Sequence, residues 1–248
     1  CLQQIPEEIF MGGLRELINL DRLWVPGSEG ASLYVRPFLF SMDAFIGVRP
    51  PESFRFMIIT SPAGAYYTEP VRVKIETHYS RAVEGGTGYA KAAGNYAAAM
   101  YPAKLAAADG YHQLIWTDAK EHKYIEESGT MNVMFLIGNK LITAPAGDTI
   151  LNGITRDSSL KLAREWGIEV EERKLSVDEL ITAFKSGELK EAFGTGTAAT
   201  IASIREIGNG EDHYLLPEDR PVADKLQKTL QEIKQGRIED KFGWMDVV

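Results

Sequence analysis

Lys91 stands in the stretch GGTGYAKAAGNYAAA, a single lysine in a field of Gly, Ala and Tyr. It falls where a glycine-rich turn meets an alanine-rich helix. Few carboxylates lie near it in sequence, and the positive end of the helix dipole is close. Both influences favour the neutral, nucleophilic amine. Such an amine is what a Schiff base with an aldehyde cofactor requires, and it works best in a dry crevice. Gly85, Gly86 and Gly88 permit close backbone approach, while Asn95 and Tyr96 add polar groups to the same segment. A lysine at a helix start is more often a solvated surface group, so the other chemistry-bearing residues must decide between the two readings.

Glu126 and Glu127 precede the turn of SGTMN, and an apolar run from Val133 to Ile137 follows. Adjacent glutamates are common on surfaces. A carboxylate placed before such a run is also a candidate for burial opposite a pyridine nitrogen, where it keeps that nitrogen protonated and the ring electron-accepting. Two loops have the composition of anion sites. NGITRDS, Asn152 to Ser158, feeds a helix whose first N–H groups have no intrahelical acceptor. GTGTAAT, Gly194 to Thr200, offers glycines, hydroxyls and amides. Neither carries the lysine of a nucleotide P-loop. Arg81, upstream of Lys91 on the strand side of the same turn, supplies a cation for a phosphate. Arg36 in LYVRPF is a charge within an apolar strand. It either points outward on the polar face or faces a cleft, sharing its side with Tyr34. The histidines, His78, His112, His122 and His213, are scattered without ligand spacing, so no metal is expected.

The elements that must position these groups follow from pattern. Residues 5–23 read as an amphipathic helix, and 33–40 and 54–60 as strands. SPAGAYYTEP reads as a linker between two domains. Beyond it the spacing predicts a strand at 71–76, the Lys91 helix to about 108, and strands near 114–117, 124–135 and 141–143. A helix over 157–166, a strand over 168–173 and a helix over 177–186 follow, the last capped by Ser176 with Glu179. Strands flank Gly208-Asn209-Gly210, and a helix over 222–236 ends the chain. Strands and helices mix without strict alternation, which predicts an α/β fold, or α+β, with mixed sheets. The expected division is 1–67 as part of a smaller N-terminal domain, 68–76 as an interdomain segment and 77–248 as a larger cofactor-binding domain.

Bulk properties narrow the class. The chain has 248 residues, 44% hydrophobic and 25% charged, which is ordinary globular composition with room for a sizeable core. A net charge of −8 without a long basic run argues against nucleic acid as a partner. No apolar run is long enough for a membrane span and no signal peptide is visible, so a cytoplasmic location is expected. Cys1 is the only cysteine, which excludes a disulfide framework. The first methionine is Met11, and the chain reads as beginning inside a folded domain with its smaller domain incomplete.

Taken together, SLYVRPFLF, GGTGYAKAAGNY, EESGTMN, ILNGITRD and FGTGTA resemble the branched-chain amino acid aminotransferases of fold-type IV, in that family's order and over almost the whole chain. The resemblance implies pyridoxal 5'-phosphate as cofactor and transamination of leucine, isoleucine and valine with 2-oxoglutarate. It implies that Lys91 carries the Schiff base and shuttles the proton. It also implies cofactor contacts from Arg81, Tyr96, Glu127, Thr130, Leu151, Gly153, Ile154, Thr155, Gly196 and Thr197. Among these, Glu127 serves the pyridine nitrogen, and Arg81, Ile154, Thr155 and Thr197 surround the phosphate. Tyr34, Arg36, Thr197 and Ala198 are the implied substrate contacts. The partners implied are small amino acids and 2-oxo acids, with a homodimer. Asn152 stands where the family usually has proline, and Ala199 and Ala202 stand where some members have a redox cysteine pair. An upstream phosphate-contacting arginine of the family has no counterpart here. Competing readings are another fold-type IV enzyme, such as a D-amino-acid aminotransferase or aminodeoxychorismate lyase, or an inactive cofactor-binding fragment.

Overall fold

The computed structural model describes residues 4–28, 30–64 and 66–248. The chain separates into an N-terminal unit reaching Tyr66 and joined by Gly243–Val248, and a larger unit, Tyr67–Phe242.

In the N-terminal unit, the spacing of Ile9, Phe10, Leu14, Leu17 and Ile18 builds α1 (Glu7–Leu20), with Glu7 and Glu8 complementing the dipole in its first turn. The helix stops earlier than the pattern predicts. Asp21 is its C-cap and accepts a hydrogen bond from Thr60 Oγ1, and a short 3-10 turn, Arg22–Trp24, takes the remainder. β1 (Ser32–Ser41) and β2 (Phe54–Ala63) form an antiparallel hairpin in which Arg36 opposes Ile59. β2 thus continues into the stretch expected to be linker. Pro62 is tolerated because each strand of a two-stranded sheet keeps an outer edge. The Phe10 ring lies 5.5 Å from that of Phe56. No described residue of this unit is fully buried.

The larger unit contains β3 (Val71–Ile75), α2 (Ala93–Ala108), β4 (Gln113–Thr117), β5 (Ile125–Ser128), β6 (Met131–Ile137) and β7 (Lys140–Thr143). It continues through α3 (Ile154–Glu165), β8 (Glu169–Glu172), α4 (Val177–Lys185), β9 (Leu189–Gly196), β10 (Thr200–Asn209), β11 (Asp212–Leu215) and α5 (Pro221–Lys234). The strands make one nine-stranded mixed sheet. β3 runs parallel to β4 and β10, and β7 runs parallel to β8, while the other pairs are antiparallel. Val71–Ile75, within the segment expected to connect domains, is a strand of this sheet, and Val71, Val73 and Ile75 are all buried on one face.

The ladders close on themselves. β10 pairs with β3, β3 with β4, β4 with β5, β5 with β6, β6 with β9, and β9 returns to β10. Two strands make this possible by dividing one edge between partners. β6 gives Met131 and Asn132 to β5 and Met134–Ile137 to β7. β10 gives residues 200–203 to β9 and 206–209 to β11. Val73, Ile75, Ile115, Val133, Phe135 and Ile204 belong to the main buried cluster. Burying such side chains is the dominant stabilising term, at about 25 cal/mol per Å² of apolar surface removed from water. A second cluster, Ala106, Tyr111, Leu114 and Trp116, joins α2 to β4. α5 presents Ala223, Leu226, Leu230 and Ile233 as one buried stripe. Ser176 caps α4 as its spacing predicts, accepting the Glu179 N–H at 3.1 Å.

Candidate active site

The turn before α2 is built by close backbone approach and one buried amide. A Cβ on Gly88 would lie 2.7 Å from the Asp148 carbonyl oxygen and from Thr149 Cα, so only glycine lets the lysine loop press against residues 148–149. The Tyr89 N–H donates to the Asp148 carbonyl at 2.9 Å. Asn95 is buried in the first turn of α2. Its Nδ2 donates to the Thr87 and Ala90 carbonyls at 2.8 and 2.9 Å, and its Oδ1 accepts from Thr87 Oγ1 at 2.9 Å. These bonds fasten the chain on both sides of the lysine.

Lys91 itself lies just before Ala92, the N-cap of α2, and no acidic residue occupies the first helical turn. Its Nζ donates to Tyr96 Oη at 3.0 Å. The expectation of a dry crevice around the amine is corrected by the structure, in which Lys91 is exposed. Gly88, Ala90 and Ala99 line the same cavity as Lys91.

The carboxylate is the buried partner. Glu127, 3% exposed, lies on β5 directly opposite Asn132 of β6. Asn132 Nδ2 donates to its Oε1 at 3.1 Å, the Leu151 N–H donates to the same oxygen at 2.9 Å, and Arg81 Nη2 lies 3.1 Å from Oε2. Burial pushes its pKa up to about 7, against the opposing pull of Arg81, the Leu151 N–H and Lys91, while Glu126 reinforces the rise. Strand alternation separates the two adjacent glutamates. Glu127 lines the same cavity as Lys91, whereas Glu126 lines a different depression.

The third component is the start of α3. The helix begins at Ile154, earlier than the sequence pattern predicts, because Gly153 takes the extended N-cap conformation and supplies no side-chain acceptor. The first N–H groups of a helix have no intrahelical partner, and Ile154 and Thr155 line the cavity. Arg156 of the same motif is instead structural, donating to the Ala144 carbonyl and to Glu172. Among the described residues, two further buried groups on the cavity wall have no hydrogen-bond partner, Arg81 Nε and Thr195 Oγ1. A buried donor without an acceptor is costly, so this wall suits a polar, anionic occupant.

These parts meet in one cavity of about 240 Å³. Arg81, Lys91, Tyr96, Glu127, Thr130 and Leu151 line it, as do Gly153, Ile154, Thr155, Gly196 and Thr197. Ala198 follows Thr197 in the turn after β9 and is exposed. Tyr34 and Arg36 lie on β1 in the N-terminal unit, with the guanidinium carbon 5.0 Å from the Tyr34 ring centre. Sequence reasoning missed Asn132 and Thr195, which face each other across β6 and β9 and lie in register with Glu127. The turn at Ser128-Gly129 carried the signal for Asn132, since its register sets residue 132 opposite residue 127. No group of metal-ligating side chains occurs among the described residues.

An amine at a helix start, a buried carboxylate and a helix N-terminus thus line one cavity on a mixed-sheet scaffold. The amino-transferase class IV family model matches residues 2–207, and the chain belongs to that family. It is 43% identical to branched-chain-amino-acid aminotransferase 2 of Bacillus subtilis strain 168, over 98% of this chain and 69% of that protein. Its fold is similar to the crystal structure of Escherichia coli branched-chain amino acid aminotransferase, with a TM-score of 0.79 at 30% identity, covering 100% of this chain and 77% of that one. The T.th. branched-chain amino acid aminotransferase with pyridoxamine 5'-phosphate gives a TM-score of 0.81 at 25% identity, over 98% of this chain and 76% of that one. The fold is thus that of the fold-type IV aminotransferases.

Proposed function

We propose that this protein transfers amino groups between branched-chain L-amino acids and 2-oxoglutarate with pyridoxal 5'-phosphate as cofactor. The observation that carries the reading is the convergence of Lys91, buried Glu127 and the start of α3 on one cavity. The names of the relatives supply the substrate class, and the pyridoxamine 5'-phosphate of the T.th. enzyme supports the cofactor.

The residues present fit that cofactor. The N–H groups of Ile154 and Thr155, with Arg81 and Thr197, form a donor set for its phosphate, and Arg81 Nε lacks any other acceptor among the described residues. Glu127 is the acceptor for its ring nitrogen, and Tyr96 is the partner of its phenolic oxygen. When bound, the cofactor supplies an electron sink for the bond broken at the substrate Cα.

The protein's own groups do the rest. Lys91 Nζ is the base that takes the proton from substrate Cα and returns it to the other side of the reacting system. Tyr96 Oη, 3.0 Å from Nζ, holds that amine in place. Glu127, with a pKa near neutrality, is poised to ionise when a cationic nitrogen is set against it. The backbone N–H groups of Thr197 and Ala198 are assigned to the substrate carboxylate. The proposal extends to a homodimer, as the family resemblance implies, and to the cytoplasmic location expected from the sequence.

The decisive experiment adds pyridoxal phosphate to the full chain, records the visible spectrum, reduces with borohydride and maps the modified peptide. A label on Lys91, with a spectrum that shifts on L-leucine, is expected. A label elsewhere, or activity confined to D-alanine, rejects the reading.

A further inference from the structure

Glu127 and Asn132 are cross-strand partners in the β5–β6 hairpin, so their side chains rise from the same face of the ladder. Asn132 is 5% exposed and uses both protons of its amide. Nδ2 donates to Glu127 Oε1 at 3.1 Å and to the Leu151 carbonyl at 2.8 Å. The Leu151 N–H closes the triangle on the same carboxylate oxygen at 2.9 Å. Residues 151–153 lead directly into α3. A Cβ on Gly153 would lie 2.3 Å from Asn132 Oδ1, so this loop and the amide are packed without a gap. One side chain therefore spans from the carboxylate to the segment that presents the first N–H groups of α3.

We propose that Asn132 is a positioning residue: its amide locks Glu127 in register with the first turn of α3, so that a ligand with a basic ring nitrogen at one end and an anion at the other meets both partners at once. The proposal rests on the cofactor reading above and deepens it. An amide suits the task because it donates strongly but neither gains nor loses a proton at working pH. A carboxyl group without that anchor loses its fixed direction, and sites loosened by a small displacement lose rate.

The groups facing Glu127 set what its release does. Arg81, Lys91 and the Leu151 N–H favour the ionised form, whereas burial and Glu126 oppose it. Asn132 adds a donor on the ionised side. Its removal shifts the balance toward the protonated acid.

The test uses the full chain and two variants, Asn132→Ala and Asn132→Asp. Carboxyl-carbon NMR of the cofactor-free chain, with Glu127→Gln identifying the signal, follows the ionisation of Glu127. In Asn132→Ala its midpoint is expected to rise by about one pH unit. In Asn132→Asp, which keeps the volume but swaps a donor for an acceptor, it rises further. In the loaded enzyme, kcat falls about tenfold or more while KM for L-leucine stays within about twofold. An unmoved midpoint in both variants overturns the proposal whatever the turnover, since a merely structural amide leaves the carboxyl alone. Should the wild-type chain take up no pyridoxal phosphate at Lys91, the functional reading fails, and the carboxyl titration still decides the role of Asn132. Should Asn132→Ala unfold, as circular dichroism reports, Asn132→Asp carries the same decision.

Discussion

Arg81 Nη2 lies 3.1 Å from Glu127 Oε2, with both side chains almost wholly withdrawn from solvent. The pair does not bring the carboxyl down to its ordinary range, because burial outweighs the guanidinium and the net pKa is about 7. A group that binds its proton more tightly when folded stabilises the fold at low pH. That contribution is complete below the ordinary carboxyl range and is lost as pH rises through about 7.

Glu127→Gln removes this dependence. In the cofactor-free protein, the wild type should lose stability relative to the variant between about pH 5 and about pH 8, by up to about 3 kcal/mol. Urea unfolding at the two ends of that window measures it. Parallel behaviour of the two proteins would show that Glu127 is not buried as an acid.

Lys91→Ala should abolish both borohydride trapping and turnover. The Glu127 network and the first turn of α3 do not depend on Lys91, so phosphate-dependent binding of the cofactor persists, weakened. Equilibrium dialysis with pyridoxal phosphate checks the second half of this expectation. Turnover retained by the variant refutes the assignment of the amine.

Asn95→Ala deletes a buried amide that holds Thr87 and Ala90. The cost should be about 2 kcal/mol in global stability, from bonds lost and carbonyls left unpaired. The variant should also label Lys91 more slowly with borohydride, since the loop is no longer fixed. A stable variant with unaltered labelling would mean that the glycine contacts alone shape the turn.

Gly153→Ala places a methyl group against Asn132 Oδ1, which cannot swing away without breaking its own hydrogen bonds. Cofactor affinity should fall about tenfold, the equivalent of roughly 1.4 kcal/mol and within the usual cost of overpacking. Fluorescence titration of the cofactor reads it directly. Wild-type affinity in the variant would place the loop farther from Asn132.

Much of this was legible in the sequence because the signals are local. The turn residues around Ser128-Gly129 and Gly208-Asn209-Gly210, the Ser176 cap and the apolar stripe of α5 each depend on a few neighbours. The convergence of Lys91, Glu127 and Ile154 on one cavity is different: it was expected from the family resemblance of the motifs read as a set. What escaped was long-range. The role of Asn95 depends on where the preceding loop folds back, and that of Asn132 on a loop reached through β7. The exposure of Lys91 was not legible from its segment either. The strand at Val71–Ile75 was legible from its alternation, but its place between two parallel neighbours was not.

The closed circuit of ladders through β3 has a consequence for how the molecule comes apart. Each strand of that circuit has a neighbour on both sides, so none can peel from an edge. Backbone amides of Val73 and Ile115 should therefore trade their protons for deuterons only when the entire larger unit opens, whereas those of β8 and β11, at the ends of the strand order, escape through local fraying.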